Sequence, residues 1–219
     1  MLRRSMVLFL VSLLLMQCGC AAKRFDLIYT PTGYQAKSRR PLTLYVKKTV
    51  DSRPEEEIKD RGGHTFYLTD RHYWQEPSAD KITKIIVHEL RDSNLFRQVT
   101  DTPQDTDLTL ETELKSFYAK RRLRAGHYFM YTTIFAPILW PLAFNQFKMI
   151  PPKVEAHTKI LVTLKRGDKI LLEKEYEDIK RAKVKANPVP LLGEMNKMAG
   201  ESLHRSLERM IKDIEDRVI

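Results

Sequence analysis

Cysteine is nearly absent from this chain of 219 residues, and its only two cysteines, Cys18 and Cys20, lie close to the N-terminus. No disulfide can therefore form within the rest of the chain, which must gain its stability from a hydrophobic core. A hydrophobic share of 42% is sufficient for such a core in a single domain of this length.

Motifs of known catalytic chemistry are missing as well. The sequence contains no glycine-rich phosphate loop, no G-x-S-x-G nucleophile elbow and no H-E-x-x-H zinc motif. The six histidines lack the spacing of a helical metal site, and no cysteine is placed to complete one. Asp51 and Arg53 could form an acid–base pair, but their position in a turn favours a stabilising role. We therefore predict no enzymatic activity, no bound metal and no cofactor apart from a covalent lipid.

The N-terminal stretch predicts export from the cytoplasm. Residues 1–19 have the layout of a bacterial signal peptide, in which Arg3 and Arg4 precede an apolar run over residues 6–16 and small residues follow. The apolar run is too short to span a bilayer as a helix.

The two cysteines resemble the lipidation site of bacterial lipoproteins, in which a small residue precedes the modified cysteine. Gly19 precedes Cys20 and Ala21 follows it, so Cys20 is the favoured site, with Cys18 as the alternative. The resemblance implies a lipid anchor at the outer membrane, facing the periplasm, since no aspartate follows the cysteine. Residues 20–41, which are polar and lack periodicity, would then be the lipidated N-terminus and a flexible tether.

Hydrophobic periodicity over residues 42–219 predicts one α+β domain. Alternation predicts strands at 42–46, 107–118, 154–164 and 170–176, and a tight turn joins the last two. Apolar residues at helical spacing predict one helix that begins at Ser78 as its N-cap and another over 191–218. The order β-α-β-(apolar insert)-β-β-α favours a mostly antiparallel sheet with two helices packed on one face.

Two stretches within this domain resemble a group of periplasmic lipoproteins. They are residues 46–54 (VKKTVDSRP) and residues 79–99 (ADKITKIIVHELRDSNLFRQV). The first is similar to a strand that ends in an Asp-x-Arg turn, and the second to a helix that leads into a short strand. The similarity is to the YajG family and, more distantly, to TolB N-terminal and CsgG-like domains. It implies an α+β fold and brings no catalytic residues.

An apolar insert at about 125–150 interrupts the domain pattern. Residues 128–144 contain no charged side chain, and Pro137 and Pro141 argue against a continuous membrane-spanning helix. A membrane span and burial in the domain core remain as alternatives. We favour an exposed segment that contacts a membrane or a partner protein. The expected contact residues are Tyr128, Phe129, Tyr131, Ile134, Phe135, Ile138, Leu139, Trp140, Leu142 and Phe144.

Basic residues precede this insert in a chain whose formal net charge is +10. We expect Lys120, Arg121, Arg122 and Arg124 to contact lipid head groups. Nucleic acid is not an expected partner, because the basic residues are scattered without aromatic residues between them.

These features favour a non-enzymatic outer-membrane lipoprotein that acts as an accessory or scaffold component of a cell-envelope assembly. The membrane is the expected partner, together with an envelope protein whose identity the sequence does not define. The alternative is an auxiliary lipoprotein of an envelope lipid-transport system, which would bind a lipid or acyl chain between the insert and the sheet.

Overall fold

A computed structural model describes residues 26–58, 65–67, 76–122, 153–183 and 188–218. The two cysteines, Arg124 and the whole apolar insert lie outside the described residues. The elements are β1 (Arg40–Val46), β2 (Val50–Asp51), α1 (Glu55–Ile58), β3 (Thr65–Tyr67), α2 (Ser78–Asp92), β4 (Phe96–Thr100), β5 (Leu108–Arg122), β6 (Lys153–Arg166), β7 (Lys169–Lys183) and α3 (Pro188–Arg217).

The described strands form one mixed sheet in the order β4-β1-β5-β6-β7, and β2 and β3 also pair with β5. The short pairings of β1 with β4 and β5, and of β2 with β5, are parallel. The long ladders of β5 with β6 and of β6 with β7 are antiparallel, as is the short pairing of β3 with β5. The predicted α+β class with a mostly antiparallel sheet is therefore confirmed.

Helices α2 and α3 cover one face of this sheet, as predicted. Along β6 every second residue from Val154 to Leu164 is buried on the helix side. The residues between them face away from the helices and are only partly covered. Each strand of the antiparallel half therefore has one dry face and one wet face, which is the pattern that the alternation predicted.

A β-bulge in β5 shifts this alternation in a way that the sequence did not reveal. Leu114 lies opposite Ile160 and Ser116 opposite Lys159, so Lys115 is the extra residue. Because one extra residue moves the following side chains to the other face, Phe117 points into the core where strict alternation would place a polar residue.

Several predicted element boundaries are corrected by the structure. The stretch 55–77, interpreted as a loop, contains α1 and β3. Ser78 is already helical, Pro77 occupies the N-cap position, and no side chain caps this helix end. Helix α3 starts at Pro188 rather than after Pro190, because proline is tolerated in the first turn, where backbone N–H groups lack helical partners.

Residues 26–37, called the strap below, have no regular secondary structure and lie between α2 and α3. Leu27 is buried within the hydrophobic core, and Tyr29, Tyr34 and Ala36 pack against that core. These residues belong to the segment that was expected to be a flexible tether, but in the structure they are part of the packed domain.

Candidate interaction site at one pole of the domain

Several chain segments meet at one end of the domain, which we call the pole. Strand β5 ends there, β6 begins there, β7 ends there, and α3 starts close by. The antiparallel register places Arg122 opposite Lys153, and Lys153 opposite Lys183. Three adjacent strands thus carry a basic residue in the same transverse row, which we call the basic row.

We call the sheet face that the helices do not cover the open face. The next row on this face consists of Lys120, Glu155 and Arg181. The Nζ of Lys120 lies 2.8 Å from Glu155 Oε1, and the Nε of Arg181 lies 2.7 Å from Oε2. The hydroxyl of Tyr118 also donates to Oε1, at 2.8 Å. Burial raises the pKa of the Glu155 carboxyl, but these three hydrogen bonds outweigh burial and lower the pKa to about 2. Glu155 is therefore ionised, and its carboxylate is held by Lys120 and Arg181 of its own row and by Tyr118.

Residues of both rows line a cavity of about 500 Å³ at the pole. Four of its lining residues are basic and one is acidic, and the acidic residue is already paired. The lining residues are Lys120, Lys153, Val154, Glu155, Arg181, Ala182 and Lys183. The cavity therefore combines a small apolar wall with an excess of positive charge.

The residues predicted to contact head groups are placed differently by the structure. Lys120 and Arg121 are consecutive in β5, so their side chains lie on opposite faces of the sheet, and only Lys120 lines the cavity. Arg122 occupies its position in the basic row through its backbone register. Arg124 and the ten predicted apolar contact residues lie outside the described residues.

Sequence reasoning missed Lys153, Arg181 and Lys183, which complete the charge pattern of the pole. They are far from 120–124 along the chain, and only the register of two antiparallel ladders brings them together. The predicted β6–β7 hairpin could have identified Lys153 and Lys183 as partners if β7 had been expected to continue to residue 183.

The strap also begins near the pole. Asp26 forms an ion pair with Lys81 of α2 at 2.9 Å, and the backbone N–H of Ile28 donates to Asn196 Oδ1 of α3 at 3.0 Å. Helix α3 runs antiparallel to β7, since Ser202 contacts Asp178 near the pole, whereas residues further along α3 contact earlier parts of β7. The N-terminal part of α3 therefore packs on β5, β6 and β7 at the end of these strands that lies at the pole. The start of the strap lies there too.

Two buried carboxylates hold the strap along its course. Glu89 of α2 is 2% exposed and accepts hydrogen bonds from the hydroxyl of Tyr29 at 2.9 Å and from both the backbone N–H and the hydroxyl of Thr32. Burial of Tyr29, together with the negative charge of Glu89, raises the pKa of that phenol above its usual value. The strap is thus bound to α2 through a charged acceptor that is removed from water, an arrangement that strengthens each bond.

The second carboxylate, Glu215, lies near the far end of α3 and is 3% exposed. It accepts hydrogen bonds from the hydroxyl of Tyr34 and from the backbone N–H of Lys37, the latter at 2.7 Å. The hydrogen bond to Glu215 raises the pKa of Tyr34 to about 12, and the same bond lowers the pKa of Glu215. The strap therefore runs from the pole to the opposite end of the domain between the two helices.

A serine, a histidine and a glutamate line up on the open face near the bulge. Ser116 Oγ lies 3.0 Å from His157 Nδ1, and His157 Nε2 lies 2.8 Å from Glu177 Oε1. The hydroxyl of Ser116, however, donates to Glu57 Oε1 at 2.8 Å, and the other oxygen of Glu57 accepts the N–H of Phe117 at 3.0 Å. Because the hydroxyl proton is directed to Glu57 and not to the imidazole, this group stabilises the bulge and lacks the arrangement of an activated nucleophile.

Asp51 and Arg53, the other pair considered from the sequence, form a structural link. The guanidinium of Arg53 donates to both carboxylate oxygens of Asp51 at 2.8 Å, and its Nη1 donates to the carbonyl of Phe117 at 3.2 Å. The pair therefore joins the turn after β2 to the bulged part of β5.

Within the described ranges, no helix is both long and apolar enough to cross a bilayer. The histidines and acidic residues of the same ranges form no group of three or more that could hold a metal ion.

No protein-family model matches the sequence, and no curated protein matches it. Among solved structures, the chain is similar to protein XCC0632 from Xanthomonas campestris, described as DUF330, with a TM-score of 0.49 and 11% identity over 89% of this chain and 97% of that one. It is also similar to the hypothetical protein CT253 from Chlamydia trachomatis, with a TM-score of 0.45 and 8% identity over 82% of this chain and 98% of that one. Likeness at this level supports no conclusion about function.

Proposed function

We propose that this protein is a non-enzymatic envelope lipoprotein, an accessory or scaffold component whose pole faces the membrane that holds its lipid anchor. Cys20 would carry the anchor, and the insert at 125–150 would contact the bilayer or a membrane-bound partner. The remainder of the domain would then stand away from the membrane and present its open sheet face to the periplasm.

The observation that carries this proposal is that the start of the strap, the basic row and the two strand ends on either side of the insert all lie at the pole. The strap begins there, only a few residues after the proposed lipidation site. The basic row lies there, and Arg122 and Lys153, which flank the segment containing the insert, are direct partners in neighbouring strands. An anchor, a cationic surface and an apolar segment at one end are what a membrane-facing surface requires.

The polar clusters of the described residues support a non-enzymatic role. The Ser116–His157–Glu177 line and the Asp51–Arg53 pair both have their hydrogen-bonding groups directed at neighbouring structural partners. Each can be explained by the need to stabilise the bulged strand, so neither requires a substrate.

The orientation can be tested by depth-dependent quenching in the full lipidated chain, reconstituted into vesicles with brominated phospholipids. A fluorophore would be attached at Lys183→Cys at the pole or at Asp168→Cys in the β6–β7 turn. The two positions are separated by the length of β6, roughly 45 Å for its 14 residues. We expect strong quenching at position 183 and none at 168. Equal quenching at both positions, or quenching at 168 alone, would refute the proposed orientation.

The anchor itself requires a separate measurement. Cys20→Ala should abolish palmitate labelling and membrane retention, whereas Cys18→Ala should leave both unchanged. Retained labelling in Cys20→Ala that is lost in Cys18→Ala would move the lipid to Cys18.

A further inference from the structure

We infer that the cavity at the pole binds the phosphate group of an anionic phospholipid head group, with Lys153 and Lys183 as the principal contacts. This inference rests on the proposed function, in which the pole faces the membrane. It adds a defined site and a defined ligand class to that orientation.

The first support is the contrast between the basic row and the rest of the open face. In the middle of this face several charges are paired across the strands. Glu111 lies between Lys47 and Lys165 at 2.6 Å from each, and Lys159 pairs with Glu175 at 2.8 Å. The face is therefore electrostatically balanced along most of its length.

At the pole this balance ends. Lys153 and Lys183 are exposed and directly opposite each other, and no acidic residue within the described ranges pairs with either. Like charges directly opposite each other in neighbouring strands are destabilising, so an anion bound between them would remove a repulsion as well as add attraction. Arg166 and Lys169, at the other end of the same two strands, are opposed in the same way, so what the pole adds is a cavity that Lys153 and Lys183 line.

The dimensions of the site suit a phosphate on a glycerol backbone. Neighbouring strands lie about 4.8 Å apart, so ammonium groups from β6 and β7 can reach the same phosphate without backbone movement. The cavity volume of about 500 Å³ lies in the ordinary range for small-ligand sites. Val154 and Ala182, which are strand partners on the helix-covered side, also line the cavity and are its apolar residues.

The position of the site favours a lipid as the source of the phosphate. The cavity lies at the same end of the domain as the start of the strap, and Lys153, which lines it, follows the apolar insert along the chain. A free phosphate would have no need of a site at the membrane-facing end, whereas a head group is present there at high local concentration.

The test compares two double variants of the full chain in detergent micelles doped with phosphatidylglycerol or with phosphatidylcholine. Lys153→Gln/Lys183→Gln removes the proposed contacts. Arg166→Gln/Lys169→Gln removes the same net charge from the exposed turn at the other end of the same two strands, where neither residue has an ion pair among the described residues. Affinity is read from titration of a fluorescent phosphatidylglycerol, and native mass spectrometry counts the retained phospholipids.

We expect the wild-type chain to prefer phosphatidylglycerol over phosphatidylcholine. The Lys153→Gln/Lys183→Gln variant should bind phosphatidylglycerol about 30-fold more weakly than the wild type. This factor corresponds to about 1 kcal/mol for each of two basic residues at an anionic surface. The control double variant should bind as the wild type does. Both variants should melt at or slightly above the wild-type temperature, because all four substituted side chains are exposed and each variant removes one pair of opposed like charges.

Three outcomes would overturn the inference. The first is equal affinity for phosphatidylglycerol in the wild type and in the Lys153→Gln/Lys183→Gln variant. The second is an equal loss of this affinity in both double variants. The third is displacement of the lipid by an equal concentration of glycerol 1-phosphate, which would show a site for soluble phosphates. The vesicle quenching experiment is independent, so the pole can prove to face the membrane even if no head-group site is found.

Discussion

Gly200 of α3 should be intolerant of a side chain, although it lies in a helix, where alanine is normally preferred. A Cβ built at this position would lie 1.9 Å from the carbonyl oxygen of Ile28 and 3.0 Å from its carbonyl carbon, both in the strap backbone. Real Cβ atoms essentially never approach closer than 3.0 Å, so Gly200→Ala must move the strap by roughly 1 Å or more.

The expected cost follows from what the strap contributes. Displacing it exposes Leu27, which is 7% exposed in the native domain, and full burial of such a side chain is worth about 2 kcal/mol. It also strains, without breaking, the hydrogen bonds that tie the strap to Asn196 and Glu89, at a combined cost of about 1 kcal/mol. Alanine returns about 1 kcal/mol of helix propensity. The net loss in the free energy of unfolding should therefore be about 2 kcal/mol.

Gly193 provides a matched control in the same helix. A Cβ there meets nothing within 4 Å, so Gly193→Ala should stabilise the domain by about 1 kcal/mol through helix propensity alone. For a domain of this size the two variants should shift the melting temperature in opposite directions, by about −4 to −8 °C for Gly200→Ala and +2 to +4 °C for Gly193→Ala.

Urea denaturation measures the difference in free energy, and hydrogen exchange reports on the strap directly. The amides of Ile28 and Lys37, which donate to Asn196 and Glu215, should exchange faster in Gly200→Ala and at the wild-type rate in Gly193→Ala. If Gly200→Ala stabilises the domain as much as Gly193→Ala does, the strap does not pack on α3 and the reasoning fails.

Three further predictions concern the linkage at β5, the pole and the insert. Arg53→Lys should lower the free energy of unfolding, measured by urea denaturation, by about 2 kcal/mol, because lysine cannot make the bidentate contact with Asp51 that the buried guanidinium makes, its side chain being 2% exposed. Arg166→Lys, beside an exposed turn, should leave the free energy of unfolding unchanged. Equal effects of the two substitutions would refute the structural role of Arg53. The pKa of Glu155 is lowered from 4.5 to about 2, so its contribution to stability is complete above about pH 4.5 and is lost as the pH falls toward 2. Glu155→Gln should therefore have a lower free energy of unfolding than the wild type at pH 7, and this difference should disappear near pH 2. A gap that stays constant down to pH 2 would contradict this assignment. Replacing residues 123–152 by an Asn-Gly turn should leave a folded domain with cooperative thermal unfolding, because Arg122 and Lys153 are already strand partners. Loss of cooperative unfolding would show that the insert belongs to the core.

The sequence by itself determined the α+β class, the positions of the two long helices and the dry face of β6. These features depend on local periodicity, because residues two apart share a strand face and residues three or four apart share a helix face. Val154 to Leu164 alternate so regularly that the buried face could be identified without any tertiary information.

Only the tertiary structure decided the extent of β7, the bulge at Lys115 and the packing of the strap. The last residues of β7 have no apolar alternation, and they are held in the strand by pairing with β6 rather than by their own pattern. The strap looked like a tether because it is polar, yet its polar groups are what Glu89 and Glu215 bind. The basic row is a still clearer case. Its members lie on three strands far apart along the chain, and charge has no periodicity that would reveal their meeting before the strands are set in register.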